Sequence, residues 1–176
     1  MIEVMVALLV IAVAMFGTAK IQALTLGSTH NSSTRSLIAL QASSLAAAMR
    51  ANEAYWSSGS PPLVVASFSA STGVTTLDAT LAAQNVDCTA LACTPVQMAG
   101  YDLQHWLGAS TGPLANTGLL AQFPTSGANV SCAPAVSTTP VACTIEVDWT
   151  EKVVASNAAN TNSTPTVYTY QLLVMP

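Results

Sequence analysis

The stretch that decides the fold is Ile2-Glu3-Val4-Met5-Val6-Ala7-Leu8-Leu9-Val10-Ile11-Ala12-Val13-Ala14-Met15-Phe16. Between residues 1 and 19 the only charged side chain is that of Glu3, and an apolar run of about 20 residues is long enough to cross a membrane as a helix. A cleaved secretory signal has a basic segment before its apolar run, whereas this chain has Glu3 there, although Ala12-Val13-Ala14 is typical of a cleavage site. A simple membrane anchor leaves the carboxylate of Glu3 without a role, because a charge beside apolar residues is costly unless it is paired.

Helical signals continue beyond the apolar run as far as about Tyr55. The first proline is Pro61, and residues 37–54 are largely helix formers without glycine. At 100° per residue, one stripe of this segment collects Leu37, Ile38, Gln41, Ala42, Leu45, Ala48, Met49 and Asn52. Arg50 lies nearly opposite. The pattern predicts an amphipathic helix that packs one face against the rest of the chain.

The two segments join without a strong stop signal, so we predict one N-terminal helix over residues 1–56. Residues 1–19 would form its apolar half, suited to a membrane or to the core of a filament. Residues 20–56 would form its amphipathic half. The weak points where such a helix bends or loosens are Gly17, Gly27 and residues 28–33.

The remaining residues, 57–176, are predicted to form a globular head that begins at the Ser-, Gly- and Pro-rich break 57–62. After the break, Leu63-Val64-Val65 is interpreted as the start of a short strand. Two later stretches alternate between apolar and polar residues; their apolar members are Cys143, Ile145, Val147 and Trp149 in the first, and Tyr168, Tyr170, Leu172 and Val174 in the second. Joined by the polar loop 156–165, they predict an antiparallel pair packed on one side.

A second helix is predicted in the head. Thr94-Pro95-Val96-Gln97 has the form of a capping box with proline at the first helical position, and Gly108 ends the pattern. The apolar face of this helix consists of Val96, Ala99, Leu103, Trp106 and Leu107. A long helix with an apolar stripe facing a one-sided sheet predicts an α+β fold with two layers.

Composition excludes some classes of function. Charged residues make up 7% of the 176 residues, against roughly 25% in an ordinary soluble domain. The formal net charge is −4, and the four basic residues are Lys20, Arg35, Arg50 and Lys152. Since phosphate neutralisation by clustered Lys and Arg supplies most of the affinity for nucleic acids, we expect no direct nucleic-acid binding.

The four cysteines, in a chain with an N-terminal apolar segment, indicate an oxidising compartment and two disulfides. Of the three pairings, the local one, Cys88–Cys93 with Cys132–Cys143, needs the least rearrangement of the chain, and the other two stay open. A zinc site is the alternative role for the cysteines, but Cys-x-x-Cys spacing is missing and His30 and His105 are remote in sequence.

No motif of catalysis or of cofactor binding occurs, so we expect no enzyme activity, no catalytic residue, no metal and no cofactor. Asp102 and His105 are three apart on the second helix, which suits a solvated pair better than an acid–base pair because no nucleophile motif accompanies them. Glu146 and Asp148 share the polar face of one strand. We interpret them as part of a solvated surface and not as a paired-carboxylate site, because no aromatic cleft is evident around them.

The string Ile2-Glu3-Val4-Met5-Val6-Ala7-Leu8-Leu9-Val10 resembles the N-terminus of type IV pilins after leader removal, and Ala48-Met49-Arg50-Ala51-Asn52 resembles the minor pilins called type IV pilus modification protein PilV. In the head, Tyr101 to Trp106 and Val147 to Trp149, each near a cysteine-bounded loop, resemble the same family more weakly. Met1 stands where that family has Leu, and the family's leader and first mature residues are missing. We therefore expect that Met1 is not the N-terminus of the working subunit.

The resemblance implies a type IV pilin-like fold with two disulfide loops and a minor pilin that primes pilus assembly. It would be incorporated at or near the pilus tip and support twitching motility or adhesion. Glu3 would pair with the N-terminal amine of a neighbouring subunit. The implied partners are other minor pilins, the major pilin and a tip adhesin, with an inner-membrane anchor and periplasmic head before assembly and an extracellular pilus after it. A minor pseudopilin of a type II secretion system is the alternative.

Overall fold

The chain folds as a long N-terminal helix attached to a five-stranded antiparallel sheet with short helices beside it. The computed structural model describes residues 2–58, 64–69, 74–84, 86–108, 117–123, 127–133, 140–151 and 166–176. Its elements are α1 Ile2–Ala51, α2 Glu53–Trp56, β1 Val64–Ser69, β2 Val74–Leu77, α3 Ala79–Ala82, α4 Pro95–Leu107, α5 Gly118–Gln122, β3 Gly127–Ala133, β4 Ala142–Glu151 and β5 Thr166–Val174. The predicted α+β class with a long N-terminal helix is confirmed.

Helix α1 runs without interruption through 50 residues, a length of ~75 Å at 1.5 Å per residue. The predicted weak points do not break it. Within its polar stretch, threonine hydroxyls donate to backbone carbonyls three or four residues earlier: Thr18 to Met15, Thr25 to Ile21, Thr29 to Thr25 and Thr34 to His30. Each hydroxyl is thereby satisfied within the helix, because a carbonyl oxygen has a second lone pair beside the one that accepts the helical N–H. A turn at Asn52 separates α1 from the single turn of α2.

The amphipathic stripe of α1 is rotated slightly from the predicted one. Its buried members are Ile38, Ala42, Leu45, Ala46 and Met49. Leu37, predicted on the stripe, is 44% exposed, which is a correction. Ile38 is fully covered, and Leu37 lies 100° away from it around the helix, outside the face that packs on the sheet. Asn52 is buried as predicted, and its Nδ2 donates to the carbonyl of Pro95 at 2.7 Å.

The sheet has the strand order β2-β1-β3-β4-β5, with every neighbouring pair antiparallel. Cys143, Ile145, Val147 and Trp149 of β4 are all buried, so the predicted alternation and its face are confirmed. The predicted pairing with the last strand is also confirmed, in a register that places Trp149 opposite Tyr168 and Cys143 opposite Val174. Leu63 and residues 156–165 lie outside the described residues.

Helix α4 has the predicted bounds, and its apolar face packs into the core as predicted. The side-chain oxygen of Gln97 accepts from the backbone N–H of Thr94 at 2.9 Å, which satisfies one amide at the helix start. At the other end Gly108 takes a φ of 74°, a conformation that glycine adopts at no steric cost. The indole N–H of Trp106 donates to the carbonyl of Gln41 at 2.9 Å, so α4 is joined to α1 beside the sheet.

Candidate assembly site

The N-terminal half of α1 projects from the head with its apolar side chains uncovered. Large apolar residues along it are half to four-fifths exposed: Ile2, Val4, Met5, Val6, Leu8, Leu9, Val10, Ile11, Val13, Met15, Phe16, Ile21 and Leu26. Such a surface is too large for a protein that stays surrounded by water. By length and composition α1 could cross a membrane, a property that secretory signals share. The surface needs an apolar environment, either lipid or other helices.

Glu3 lies in the first turn of α1, where the helix dipole favours a negative charge. Its side chain is exposed, and it makes no hydrogen bond or ion pair with any residue that the structure describes. A carboxylate carried into an apolar environment requires a partner with a positive charge or several donors. The described residues of this chain do not provide such a partner.

The second feature is the junction of α1 with the end of the sheet. The guanidinium of Arg35 donates to both carboxylate oxygens of Glu151, with Nε to Oε1 and Nη2 to Oε2 each at 2.8 Å. The indole N–H of Trp149 donates to the same Oε1 at 2.9 Å. The guanidinium also lies 4.7 Å from the centre of the Tyr168 ring, which stacks on Trp149 at 5.9 Å. We call these four residues the junction cluster.

In the junction cluster, Arg35 and Glu151 each stabilise the charged form of the other. The two hydrogen bonds from Arg35 lower the pKa of the Glu151 carboxyl below its ordinary value, with the bond from Trp149 acting in the same direction and burial opposing both. The carboxylate raises the pKa of the Arg35 guanidinium in return. Glu151 is 5% exposed, and a buried carboxylate of this kind is tolerated when its oxygens are paired.

A cleft of about 400 Å³ lies beside the junction cluster. Arg35, Glu151 and Tyr168 line its inner end, and Leu24, Gly27, Ser28, Asn31 and Ser32 line it along α1. The helix residues lie on the same side of α1 as the stripe that packs against the sheet. Within the described residues, the cleft therefore lies where α1 continues beyond its packed face.

The disulfides are local. Cys88 bonds to Cys93 in the segment between α3 and α4, and Cys132 bonds to Cys143 across the antiparallel pair β3–β4, where the two cysteines are in register. Both cysteines of the second bond are buried in the core. No group of three or more His, Cys, Asp or Glu side chains that could hold a metal ion occurs in the part of the chain that the structure describes.

The two residue pairs considered as chemical sites, Asp102 with His105 and Glu146 with Asp148, have ordinary surroundings. Burial raises the pKa of Asp102, and the nearby exposed His105 opposes that shift. The ring of His105 packs instead on Tyr101, with 4.0 Å between the ring centres. On β4, Glu146 accepts from Gln171 and Asp148 accepts from Thr169, each across the strand pair with β5. These contacts are those of a polar sheet surface.

Sequence reasoning missed the junction cluster, although one signal for it is present. The buried alternation 143, 145, 147, 149 continues to Glu151, so a carboxylate falls on the apolar face of β4 and requires a partner. Arg35 likewise continues the buried stripe of α1 by one turn toward its N-terminus.

Comparison with known proteins gives no relative: no protein-family model, no curated protein and no solved structure matches this chain. The resemblance of its N-terminus to type IV pilins therefore stays a prediction from the sequence.

Proposed function

We propose that this chain is a minor pilin of the PilV kind, which primes assembly of a type IV pilus and is incorporated at or near its tip. The observation that carries the proposal is α1, a continuous helix whose exposed apolar half bears a single carboxylate at Glu3 and whose other half packs on the head. Before assembly the apolar half spans the inner membrane and the head lies in the periplasm. In the filament the same surface packs against the helices of other minor pilins and of the major pilin.

Glu3 has a defined part in this proposal. Lipid and a bundle of apolar helices both penalise an unpaired carboxylate, whereas a neighbouring N-terminal amine neutralises it. Pairing would therefore favour one axial position of each subunit over its alternatives, in the way that a buried polar group fixes register in other helical bundles. The apolar side chains around Glu3 hold the subunits together, and the carboxylate fixes their axial position relative to each other.

Other observations agree with this assignment. Two disulfides suit a head that folds in an oxidising compartment. The head surface, poor in charge and rich in Ser, Thr and Asn, suits contacts made by hydrogen bonds with other subunits or with an adhesin.

The test is to replace Glu3 in the bacterium that makes the protein. We expect Glu3→Gln to lower the amount of this chain in sheared pili several-fold and to reduce twitching, since the amide carries no charge to pair with an amine. The matched control is Glu53→Gln, which removes an exposed carboxylate at the other end of the long helical region. The measurement is an immunoblot of sheared pili, normalised to the chain in the membrane fraction.

Incorporation of Glu3→Gln at the level of the Glu53→Gln control would contradict the role of Glu3. A deletion strain separates the two kinds of assembly, because a minor pseudopilin of a type II secretion system fits the same helix. Loss of protein secretion with normal pili and normal twitching would replace the pilus by the secretion system as the site of action.

A further inference from the structure

The packed part of α1 begins close to a contact between Arg35 and the sheet. No residue of α1 from Ile2 to Leu37 is buried, and Ile38 is the first that is fully covered. Arg35 lies one turn before Ile38, and its guanidinium reaches across to the last residue of β4. This ion pair joins α1 to the sheet three residues before the first fully covered residue of the helix.

The geometry of this contact restricts direction as well as distance. A guanidinium bound to a carboxylate through two parallel hydrogen bonds has one preferred plane, which a single bond to a lysine would not impose. The carboxylate is itself fixed by the indole N–H of Trp149, and Tyr168 packs below the guanidinium. The described groups that hold Arg35 therefore lie on two adjacent strands of the sheet.

A cleft next to the ion pair gives α1 space in which to tilt. It lies along the N-terminal side of Arg35, between α1 and the end of the sheet, with a volume of about 400 Å³. Its described helix side carries the small Gly27, Ser28 and Ser32 together with the larger Leu24 and Asn31. The open volume between these side chains and the end of the sheet leaves room for α1 to tilt if the ion pair is broken.

We propose that the junction cluster is a latch that fixes the direction in which residues 2–34 leave the head. The length of the projecting helix amplifies any change at the latch. Residues 3 and 35 are separated by ~48 Å along the helix axis, so a tilt of about 10° would displace Glu3 by roughly 8 Å. Such a displacement exceeds the reach of a hydrogen bond several-fold, so the latch would decide whether Glu3 meets its partner.

The consequence for Glu3 rests on the proposed assembly function, but the latch itself does not. It can be measured on the purified full chain in detergent micelles by electron–electron distance measurements. Because the cysteines are engaged in disulfides, genetically encoded spin labels are placed at Gln22 on the projecting helix and at Leu173 on β5, both exposed. Gln22 lies ~20 Å from Arg35 along the helix, so a tilt of about 15° would move the label by roughly 5 Å.

Two latch variants are compared with the unmodified chain. Arg35→Lys keeps the charge beside Glu151 but cannot form the two parallel bonds. Arg35→Met combined with Glu151→Gln removes both charges and keeps an acceptor for Trp149, so no buried charge is left unpaired. We expect both to broaden the distance distribution or shift its centre by about 5 Å, the displacement calculated for a 15° tilt. The double variant is expected to show the larger change.

The matched control is Arg50→Met, which removes an exposed cation from the same helix at its packed end. Near-ultraviolet circular dichroism, which reports the packing of the head's tryptophans, establishes that the head is folded in each variant. Unchanged distance distributions in both latch variants, with folded heads, would overturn the proposal. Because no pilus is involved, this result is distinct from failure of Glu3→Gln to affect assembly, which would overturn the proposed function and leave the latch standing.

Discussion

Glu151 shows how one residue can connect the two halves of this molecule. It occupies the apolar face of β4, two positions after Trp149, and the pKa of its carboxyl is nonetheless lowered because Arg35 and Trp149 donate three hydrogen bonds to it. The need for a partner is predictable, since the alternation of β4 places a carboxylate on the buried face. The identity of the partner is not, because Arg35 is 116 residues away and only the packing of α1 on the sheet brings the two together.

The lowered pKa of Glu151 predicts how stability depends on pH. A carboxyl whose pKa is lower in the folded chain than in the unfolded chain stabilises the fold above its unfolded pKa, which is near 4.5. That contribution is lost as the pH falls from this value through the folded pKa. We expect Glu151→Gln to lower the melting temperature of the head clearly at pH 6 and to have a much smaller effect at pH 3. Thermal unfolding followed by circular dichroism at both pH values measures this.

The control for the pH dependence is Glu53→Gln, an exposed carboxylate on α2. We expect it to change the melting temperature little at either pH. An effect of Glu151→Gln that is the same at pH 3 and pH 6 would show that the ion pair with Arg35 does not stabilise the fold.

At the scale of elements, the sequence predicted best what local interactions determine. The capping box predicts helix α4. Clean alternation of large apolar side chains predicts strands β4 and β5. Strand β3 was missed because its buried residues include the small Ala128, and glycine and serine interrupt its pattern. The misplacement of Leu37 has a different cause: the stripe of α1 is wide enough to allow several rotations, and contact with the sheet selects one of them.

Gly100 shows a close approach between elements that the sequence did not reveal. A Cβ added at this position of α4 would lie 2.7 Å from the carbonyl oxygen of Leu81 in α3 and 2.8 Å from Cβ of Gln84. We expect Gly100→Ala to destabilise the head by about 1–3 kcal/mol, the usual cost of overpacking, despite the better helix propensity of alanine. Chemical unfolding followed by tryptophan fluorescence measures the difference.

Gly17 provides the matched control, because a Cβ there would meet nothing within 4 Å. We expect Gly17→Ala to leave the unfolding of the head unchanged. If Gly100→Ala were as stable as the unmodified chain, α3 and α4 would not be packed as closely as described.

At the scale of the whole molecule, the chain combines a head that buries its own core with a helix that does not. The core lies where α1 covers one face of the sheet and α4 packs beside it against α1. The apolar half of α1 is left with no cover from the described residues, and by length and composition it could cross a membrane. The sequence predicts this division from the apolar run at 2–16 and the amphipathic stripe that follows. It does not predict the direction in which the projecting helix points, because that depends on contacts between residues distant in the chain.

The most direct test of the central claim is photo-crosslinking from the projecting helix in assembled pili. A photoreactive residue in place of Leu8, which is 63% exposed, would lie in the filament core if the chain is incorporated through α1. We predict that irradiation of sheared, purified pili yields a covalent adduct between this chain and another pilin, identified by mass spectrometry. Absence of the chain from the purified pili, with Leu8 crosslinked to membrane lipid alone, would contradict the account.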